Sequence, residues 1–188
     1  ARQEAASQRK AGRCDACATI RPEMTAFVSE ALTSQHDLSS FTSGEPTLDE
    51  WLKTSALHAQ ANRTARTFVW HRGDRRVVAW FSLAATVMKR EEAPPKVSRG
   101  SPSIVPAVLL ARLALDHSLH GKGHGTHLLA DAAMRVVTAT ESVAARFLIV
   151  DAIDENAARF YERHGFTRIP GQLRLVQKVS DLAATTTR

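Results

Sequence analysis

Three glycines within five positions separate an apolar stretch from a helix-like stretch, and this arrangement constrains the fold of the 188-residue chain most. Residues 108–115 are almost continuously apolar, as in a central strand covered on both faces. Gly121, Gly123 and Gly125 follow, and apolar residues then recur at helical spacing to about Thr138. A loop at the start of a helix exposes unpaired backbone N–H groups at the positive end of the helix dipole, and glycine permits close approach. The sequence therefore predicts a strand, loop and helix that can bind a diphosphate.

Glycine loops of this kind occur in several classes of phosphate-binding protein. The P-loop requires Ser or Thr directly after its lysine, whereas Gly123 follows Lys122 here. The dinucleotide fingerprint fits better, because Gly121 and Gly123 have its spacing, the small Thr126 follows, and Asp151 ends the next strand. That fold opens with its βαβ unit, however, and here about a hundred residues of mostly antiparallel pattern come first. The pattern favours an acyl-CoA over a dinucleotide and leaves both open.

Four histidines surround the same loop and raise the question of a metal. His117, His120, His124 and His127 lie within a short stretch, and two of them are four residues apart, a spacing that suits zinc on a helix. The intervening glycines favour a loop instead, and no Cys or carboxylate stands at ligand spacing. We therefore predict no metal site and expect these histidines to face solvent or phosphate.

The remaining pattern alternates strand and helix signals. Thr47 and Glu50 fit a capping box at the start of a helix, and Gly73 fits the turn of an antiparallel hairpin whose second strand is long enough for a bulge. Residues 89–106 are rich in proline and basic side chains, which predicts a loop. The predicted order is β-α-β-β-β-α-β-α-β-β, with strands at 25–31, 67–71, 76–88, 108–115, 146–150, 166–168 and 173–179, and helices from 47, from the glycine loop to about 138, and over 155–163.

Length and composition indicate one globular domain. No apolar run reaches the roughly 20 residues that a bilayer-spanning helix needs, and the N-terminus lacks a signal-peptide pattern, so we expect a soluble, cytoplasmic protein with no membrane association. Cys14 and Cys17 form an isolated pair without further ligands or a redox context. We expect residues 1–23 to be a disordered extension, with Met24 a candidate natural start, residues 24–180 to form the domain, and 181–188 to be a tail. The net charge of +6 favours an anionic partner.

Residues 113–116 (Leu-Ala-Leu-Asp), the loop 120–125 and residues 156–166 (Asn-Ala-Ala-Arg-Phe-Tyr-Glu-Arg-His-Gly-Phe) resemble the GNAT superfamily of N-acetyltransferases. The resemblance implies an α/β (α+β) fold with a mixed, mostly antiparallel central sheet flanked by helices. It also implies acetyl-CoA as co-substrate and no metal. The family's pyrophosphate motif usually begins with Gln or Arg, whereas His120 begins it here.

A closer likeness runs over residues 25–179 and includes 41–52, 66–69 and 111–114, which look like the acetyltransferase toxins of type II toxin–antitoxin modules. This likeness implies acetylation of the α-amino group of aminoacyl-tRNA, arrest of translation, and neutralisation by a ribbon-helix-helix antitoxin; we also expect a homodimer. The matching tyrosine of those enzymes is catalytic, which implies this role for Tyr161. The residues expected to bind acetyl-CoA are Leu113, Leu115, His120, Gly121, Lys122, Gly123, His124, Gly125, Thr126 and Asn156.

Tyr161 is the only tyrosine of the chain, and next to Phe160 it could be no more than a core residue. Within the motif we instead expect it to protonate the departing CoA thiolate. A phenol of pKa about 10 can protonate a thiolate of pKa about 8.5 at small cost. Asn156 could bond the pantetheine amides or merely start a helix, and we favour the ligand role.

The chemistry of the attacking amine indicates a substrate class. Deprotonating an α-amine of pKa near 7.8 at pH 7 costs about 1 kcal/mol, whereas deprotonating a lysine of pKa near 10.4 costs about 4.6 kcal/mol. No general base stands out, which favours an α-amine. Arg112, Lys89 and Arg90 are candidate contacts to tRNA within a basic surface. Arg112 lies within an apolar strand and could equally pair with a carboxylate. Two alternatives stay open: a GNAT enzyme for protein N-termini or small amines, and a non-catalytic acyl-CoA or RNA-binding module.

Overall fold

A seven-stranded sheet of order β1-β2-β3-β4-β5-β7-β6 forms the centre of the computed structural model, which describes residues 27–186. Every neighbouring pair is antiparallel except β4 and β5, which are parallel. The mixed, mostly antiparallel sheet expected from the sequence is confirmed. The strands are β1 (Val28–Ala31), β2 (Arg66–His71), β3 (Ala79–Lys89), β4 (Ile104–Leu115), β5 (Phe147–Asp151), β6 (Thr167–Arg168) and β7 (Arg174–Lys178).

Helices cover both faces of the sheet. On one face Leu52 and Ala56 pack with Trp80 in a buried cluster, and on the other Leu128 and Tyr161 pack in the main core. None of the helices in the described part of the chain is long and apolar enough to cross a membrane. The helices are α1 (Pro46–Thr54), α2 (Ala56–Ala61), α3 (Pro95–Ser98), α4 (His124–Thr140), α5 (Glu155–Arg163) and α6 (Val179–Thr186).

A β-bulge and a divergence of two strands shape the centre of the sheet. Ser82 pairs with Arg112 and Leu83 pairs with Leu110, so Ala111 is an extra residue in β4. The bulge belongs to β4, not to the second hairpin strand for which the sequence suggested it. On its other side β4 pairs with β5 only up to Leu110. Beyond that point the two parallel strands separate and leave an opening in the sheet.

Several predicted boundaries need correction. The capping box does not form, because α1 begins at Pro46 with Glu45 as N-cap and no side-chain cap. Proline suits the first helical position, where its missing N–H is not needed. Asp49 instead accepts hydrogen bonds from the N–H and hydroxyl of Ser43, at 3.0 and 2.6 Å.

Two segments predicted to be irregular contain helices. The loop over 89–106 includes a 3-10 turn at Arg90–Glu92 and the short α3, and β4 already begins within it. The predicted tail enters α6, which packs on α4 and buries Leu182. The predicted extension over 1–23, with its cysteine pair, lies outside the described residues.

Candidate active site

The separation of β4 from β5 creates a cleft beside the end of β4, the strand that leads into the glycine loop. The cleft has a cavity volume of about 90 Å³ and runs between the unpaired end of β4 and the end of β5. Leu48 of α1 closes one side and Ala157 of α5 the other. Its lining comprises Leu48, Leu110, Ala111, Arg112, Leu113, Val150, Asp151, Ala152, Ile153, Ala157 and Tyr161.

Helix α5 carries Tyr161 into this cleft. The helix begins after Asp154, whose carboxylate accepts the N–H of Ala157 at 2.7 Å, a regular N-cap. The Tyr161 ring packs edge-on against Phe160 and Phe166, at centroid distances of 5.2 and 5.6 Å. No residue of 27–186 hydrogen-bonds its hydroxyl. Burial raises the pKa of Tyr161 to about 12, so its phenol stays protonated at physiological pH.

The Asp116 carboxylate stabilises the start of the glycine loop through hydrogen bonds. It accepts N–H groups of Ser118 and Thr42, at 3.0 and 3.2 Å. Burial alone would raise the pKa of Asp116, but these hydrogen bonds and the Ser118 hydroxyl lower it below its usual value. Gly121 and Gly123 have φ of 71° and 79°, left-handed values that favour glycine. Gly123 is the N-cap of α4, and no side chain of the described residues caps it, so the first turn presents backbone N–H groups.

The polar side chains of the loop turn back onto the loop itself. The His120 ring lies 3.1 Å from the Leu115 carbonyl oxygen, and the Lys122 ammonium donates to the Ser118 carbonyl at 2.8 Å. Both residues therefore brace the loop backbone. The Thr126 hydroxyl lies 3.0 Å from Nε2 of His164, the C-cap residue of α5, so it links the start of α4 to the end of α5.

Gly125 and Asn156 are placed differently from each other. Gly125 is helical, and a Cβ there would lie 3.5 Å from Phe160, so glycine permits close packing of α4 on α5. We expected the missing Cβ to let the chain approach a phosphate, and in the structure it faces Phe160. Asn156 lies in the exposed first turn of α5 and accepts a hydrogen bond from Arg159 at 2.5 Å. The structure does not bring Asn156 into the lining of the cleft.

The four loop histidines do not form a ligand set in the described part of the chain. The one such group there comprises Glu30, His36 and His71, with Glu30 Oε1 at 3.0 Å from each Nε2. The N–H groups of Thr33 and Gly73 point at the two Nδ1 atoms, at 3.0 Å each. Each Nε2 then carries the proton and donates it to Glu30, whereas a metal ligand would need a free lone pair there. Hydrogen bonds from His36 and His71 lower the pKa of Glu30.

On the α1 side of the cleft, an arginine lies against two stacked tryptophans. The Arg112 guanidinium carbon lies 3.9 Å from the centre of the Trp51 ring, and Trp51 stacks on the buried Trp80 at 5.5 Å. This contact between Arg112 and Trp51 is visible only in the structure. The other two candidate tRNA contacts, Lys89 and Arg90, lie at the opposite end of β4, where Lys89 pairs with Ile104.

Comparisons with known proteins agree with this geometry. Residues 64–168 match the family model described as an acetyltransferase (GNAT) domain. The chain is 40% identical over 139 residues to a tRNA-acetylating toxin of Mycobacterium tuberculosis, a match that covers 74% of this chain and 83% of the relative.

Two solved structures show the same architecture. AtaT complexed with acetyl-methionyl-tRNAfMet superposes with a TM-score of 0.79 at 28% identity, over 85% of this chain and 99% of that one. A variant of the AtaT toxin bound to the C-terminus of the antitoxin AtaR and acetyl-CoA gives a TM-score of 0.74 at 27% identity, over 87% and 99%.

Proposed function

This chain belongs to the GNAT acetyltransferases, and we propose that it is a toxin that transfers the acetyl group of acetyl-CoA to the α-amino group of aminoacyl-tRNA and so blocks translation. The observation that carries the proposal is the cleft between β4 and β5, which has a neutral phenol in its lining, together with the glycine loop that follows β4 in the chain. The relative named for tRNA acetylation and the complex with acetyl-methionyl-tRNA support the same substrate class.

Acetyl-CoA binds with its diphosphate on the loop and its pantetheine arm in the cleft. The N–H groups at the start of α4 contact the phosphate oxygens, since a helix N-terminus attracts anions. The backbone of Leu113 and Leu115 is available to the arm, because this part of β4 has no partner on the β5 side. His120 and Lys122 shape the loop, and His124 and Thr126 lie in the first turn of α4. Asn156 contributes least, since it lies outside the cleft lining.

The reaction forms a C–N bond and breaks the C–S bond of the thioester. The neutral α-amine attacks the acetyl carbon, the amine loses its extra proton to water, and the CoA sulfur leaves as a thiolate. Tyr161 donates its phenolic proton to that sulfur and regains one from solvent. A phenol with a pKa of about 12 is less acidic than the sequence suggested. Complete transfer of the phenolic proton to the thiolate of a thiol of pKa about 8.5 would cost about 5 kcal/mol. The thiolate is desolvated in the same cleft, which raises its pKa and narrows this gap.

The partners follow from the substrate. The basic surface suits the tRNA backbone, and Lys89 and Arg90 contact the tRNA away from the cleft. Action on tRNA places the enzyme in the cytoplasm. An antitoxin neutralises it, a role supported by analogy with the complex of AtaT and the C-terminus of the antitoxin AtaR. The sequence resemblance implies that this antitoxin is of the ribbon-helix-helix class. The active form is a homodimer.

Transfer of labelled acetyl groups tests the proposal directly. Purified protein is incubated with labelled acetyl-CoA and charged tRNA, and parallel reactions contain uncharged tRNA, peptides with free N-termini, or polyamines. We expect label only on charged tRNA, and release of the label with the amino acid after mild alkaline hydrolysis of the ester. Preferential labelling of peptides or polyamines would identify a different GNAT enzyme, and no labelling at all would favour a binding module.

A further inference from the structure

Arg112 is a cation in the cleft without a protein partner. Within residues 27–186 it makes no ion pair and no hydrogen bond, and its contact is the face of Trp51. Burial lowers the pKa of Arg112, because the surrounding protein removes water from the guanidinium without supplying a carboxylate. A partly buried guanidinium with unused N–H donors can bind an anion.

The stack of Trp80, Trp51 and Arg112 determines the orientation of the guanidinium. Trp80 is fully buried and covers one face of Trp51, so Arg112 covers the other. Trp51 therefore has no free face on which a nucleobase could stack. Its role is to hold the guanidinium flat by a cation–π contact, which leaves the donor edges and one outer face open to the cleft.

Arg112 and Tyr161 approach the cleft from opposite faces of the sheet. The side chain of Leu113 packs into the core with α4 and α5, as Tyr161 does, whereas its neighbour Arg112 points to α1. With the thioester between the strands and the phenol on the α5 side, the attacking amine has the α1 side left. The acceptor end of the tRNA must then pass along Arg112.

We propose that Arg112 binds the phosphodiester that joins the last two nucleotides of aminoacyl-tRNA. This assignment rests on the proposed function. The phosphodiester is the anion nearest to the α-amine, separated from it by the ester and one ribose. A guanidinium fork matches two phosphate oxygens at once, whereas an ester carbonyl or an adenine would leave the partly buried charge without a counter-ion. Arg112 thereby positions the amine at the thioester without touching the reacting atoms.

One neutral linkage in the substrate tests this contact. Two aminoacyl-tRNAs are compared that differ only in the last linkage, a phosphodiester in one and an uncharged methylphosphonate in the other. For the unaltered enzyme we expect the methylphosphonate to reduce kcat/KM on the order of tenfold to a hundredfold, mostly through KM. For Arg112→Gln we expect low kcat/KM on both substrates and a ratio near one. Arg112→Lys, which keeps the charge but loses the fork, is expected to give an intermediate ratio.

A control variant separates contact from general charge. Lys53→Gln removes one exposed positive charge from α1 and should keep the substrate preference of the unaltered enzyme. If the unaltered enzyme acetylates both tRNAs equally, or if Arg112→Gln keeps the preference, the assignment is wrong while the proposed function stands. If neither aminoacyl-tRNA is acetylated, both fail. Thermal unfolding of each variant confirms that the comparison concerns folded protein.

Discussion

The two ends of the cleft that we propose for acetyl-CoA are formed by different kinds of chemical group. At the loop end, Gly121 and Gly123 shape exposed backbone, and the side chains of His120 and Lys122 turn back onto the loop. At the other end, which we call the closed end, the buried phenol of Tyr161 has no hydrogen-bond partner among residues 27–186. Backbone N–H groups can bind a diphosphate whichever side chains surround them, whereas proton donation needs one particular side-chain group. Side-chain changes should therefore matter far more at the closed end.

The strongest test removes one oxygen at the closed end. Tyr161→Phe should lower kcat by about 10² to 10⁴, because the thiolate then leaves without a proton donor. The dissociation constant of acetyl-CoA, measured by calorimetry, should change less than about threefold, since the loop is untouched. The ring still fills its place against Phe160 and Phe166, so the melting temperature should be nearly unchanged. A variant with retained kcat would show that Tyr161 is no more than a core residue.

Alkaline pH tests how deeply the closed end is buried. The pKa of Tyr161 is about 12 in the folded protein and about 10 in the unfolded chain. The native state therefore holds the proton more tightly, and the resulting stabilisation of roughly 3 kcal/mol is fully present below pH 10 and lost as pH rises to 12. Because the chain has one tyrosine, absorbance at the phenolate band reports this group alone. Ionisation near pH 10 while the protein is still folded would mean that the phenol is solvated.

At the loop end, a smaller effect is expected from a change of backbone. Gly123→Ala puts a side chain at φ of 79° and should cost about 1 kcal/mol of stability while weakening acetyl-CoA binding by about tenfold. Gly171→Ala is the matched control, since Gly171 also has a left-handed φ of 74° and a Cβ added there would have no neighbouring heavy atom within 4 Å. It lies in the turn between β6 and β7, so it should lose similar stability with unchanged acetyl-CoA affinity. Equal affinity loss in both variants would contradict a backbone cradle.

The smallest effect should come from the side chains of the loop. Lys122→Ala and His120→Gln each remove a contact to a loop carbonyl and leave the N–H groups of α4 in place. Each should weaken acetyl-CoA binding less than about threefold, and the loss for Lys122→Ala should shrink further at high salt. A tenfold loss in either variant, measured by calorimetry, would show that the side chain touches the diphosphate.

The sequence predicted elements whose signals are local. Helix α5 has the predicted bounds, 155–163, because Asp154 supplies an N-cap and the following residues favour a helix. The apolar strand, the glycine loop and the hairpin are also local patterns and are confirmed. A start at Pro46 could have been read from the sequence, since proline commonly opens helices.

The features that depend on distant contacts could not be predicted in this way. The stack of Trp80, Trp51 and Arg112 joins three elements, and its parts look like ordinary core and surface residues in sequence. The bulge at Ala111 depends on how β4 is paired with β3. Helix α6 is short and is stabilised by packing on α4. Its own sequence has no periodic pattern that predicts this helix.

The extra residue in β4 also changes the parity of the strand. Before Ala111 the even-numbered positions Val108 and Leu110 face α4, and after it the odd-numbered Leu113 and Leu115 do. A strand of constant parity would aim position 112 at α4 and position 113 at α1. No point substitution can make that exchange, because it depends on the number of residues in the strand and not on their kind. Deleting Ala111 would move the Arg112 guanidinium to the other side of the sheet. The number of residues in β4 therefore decides which face of the sheet carries this cation.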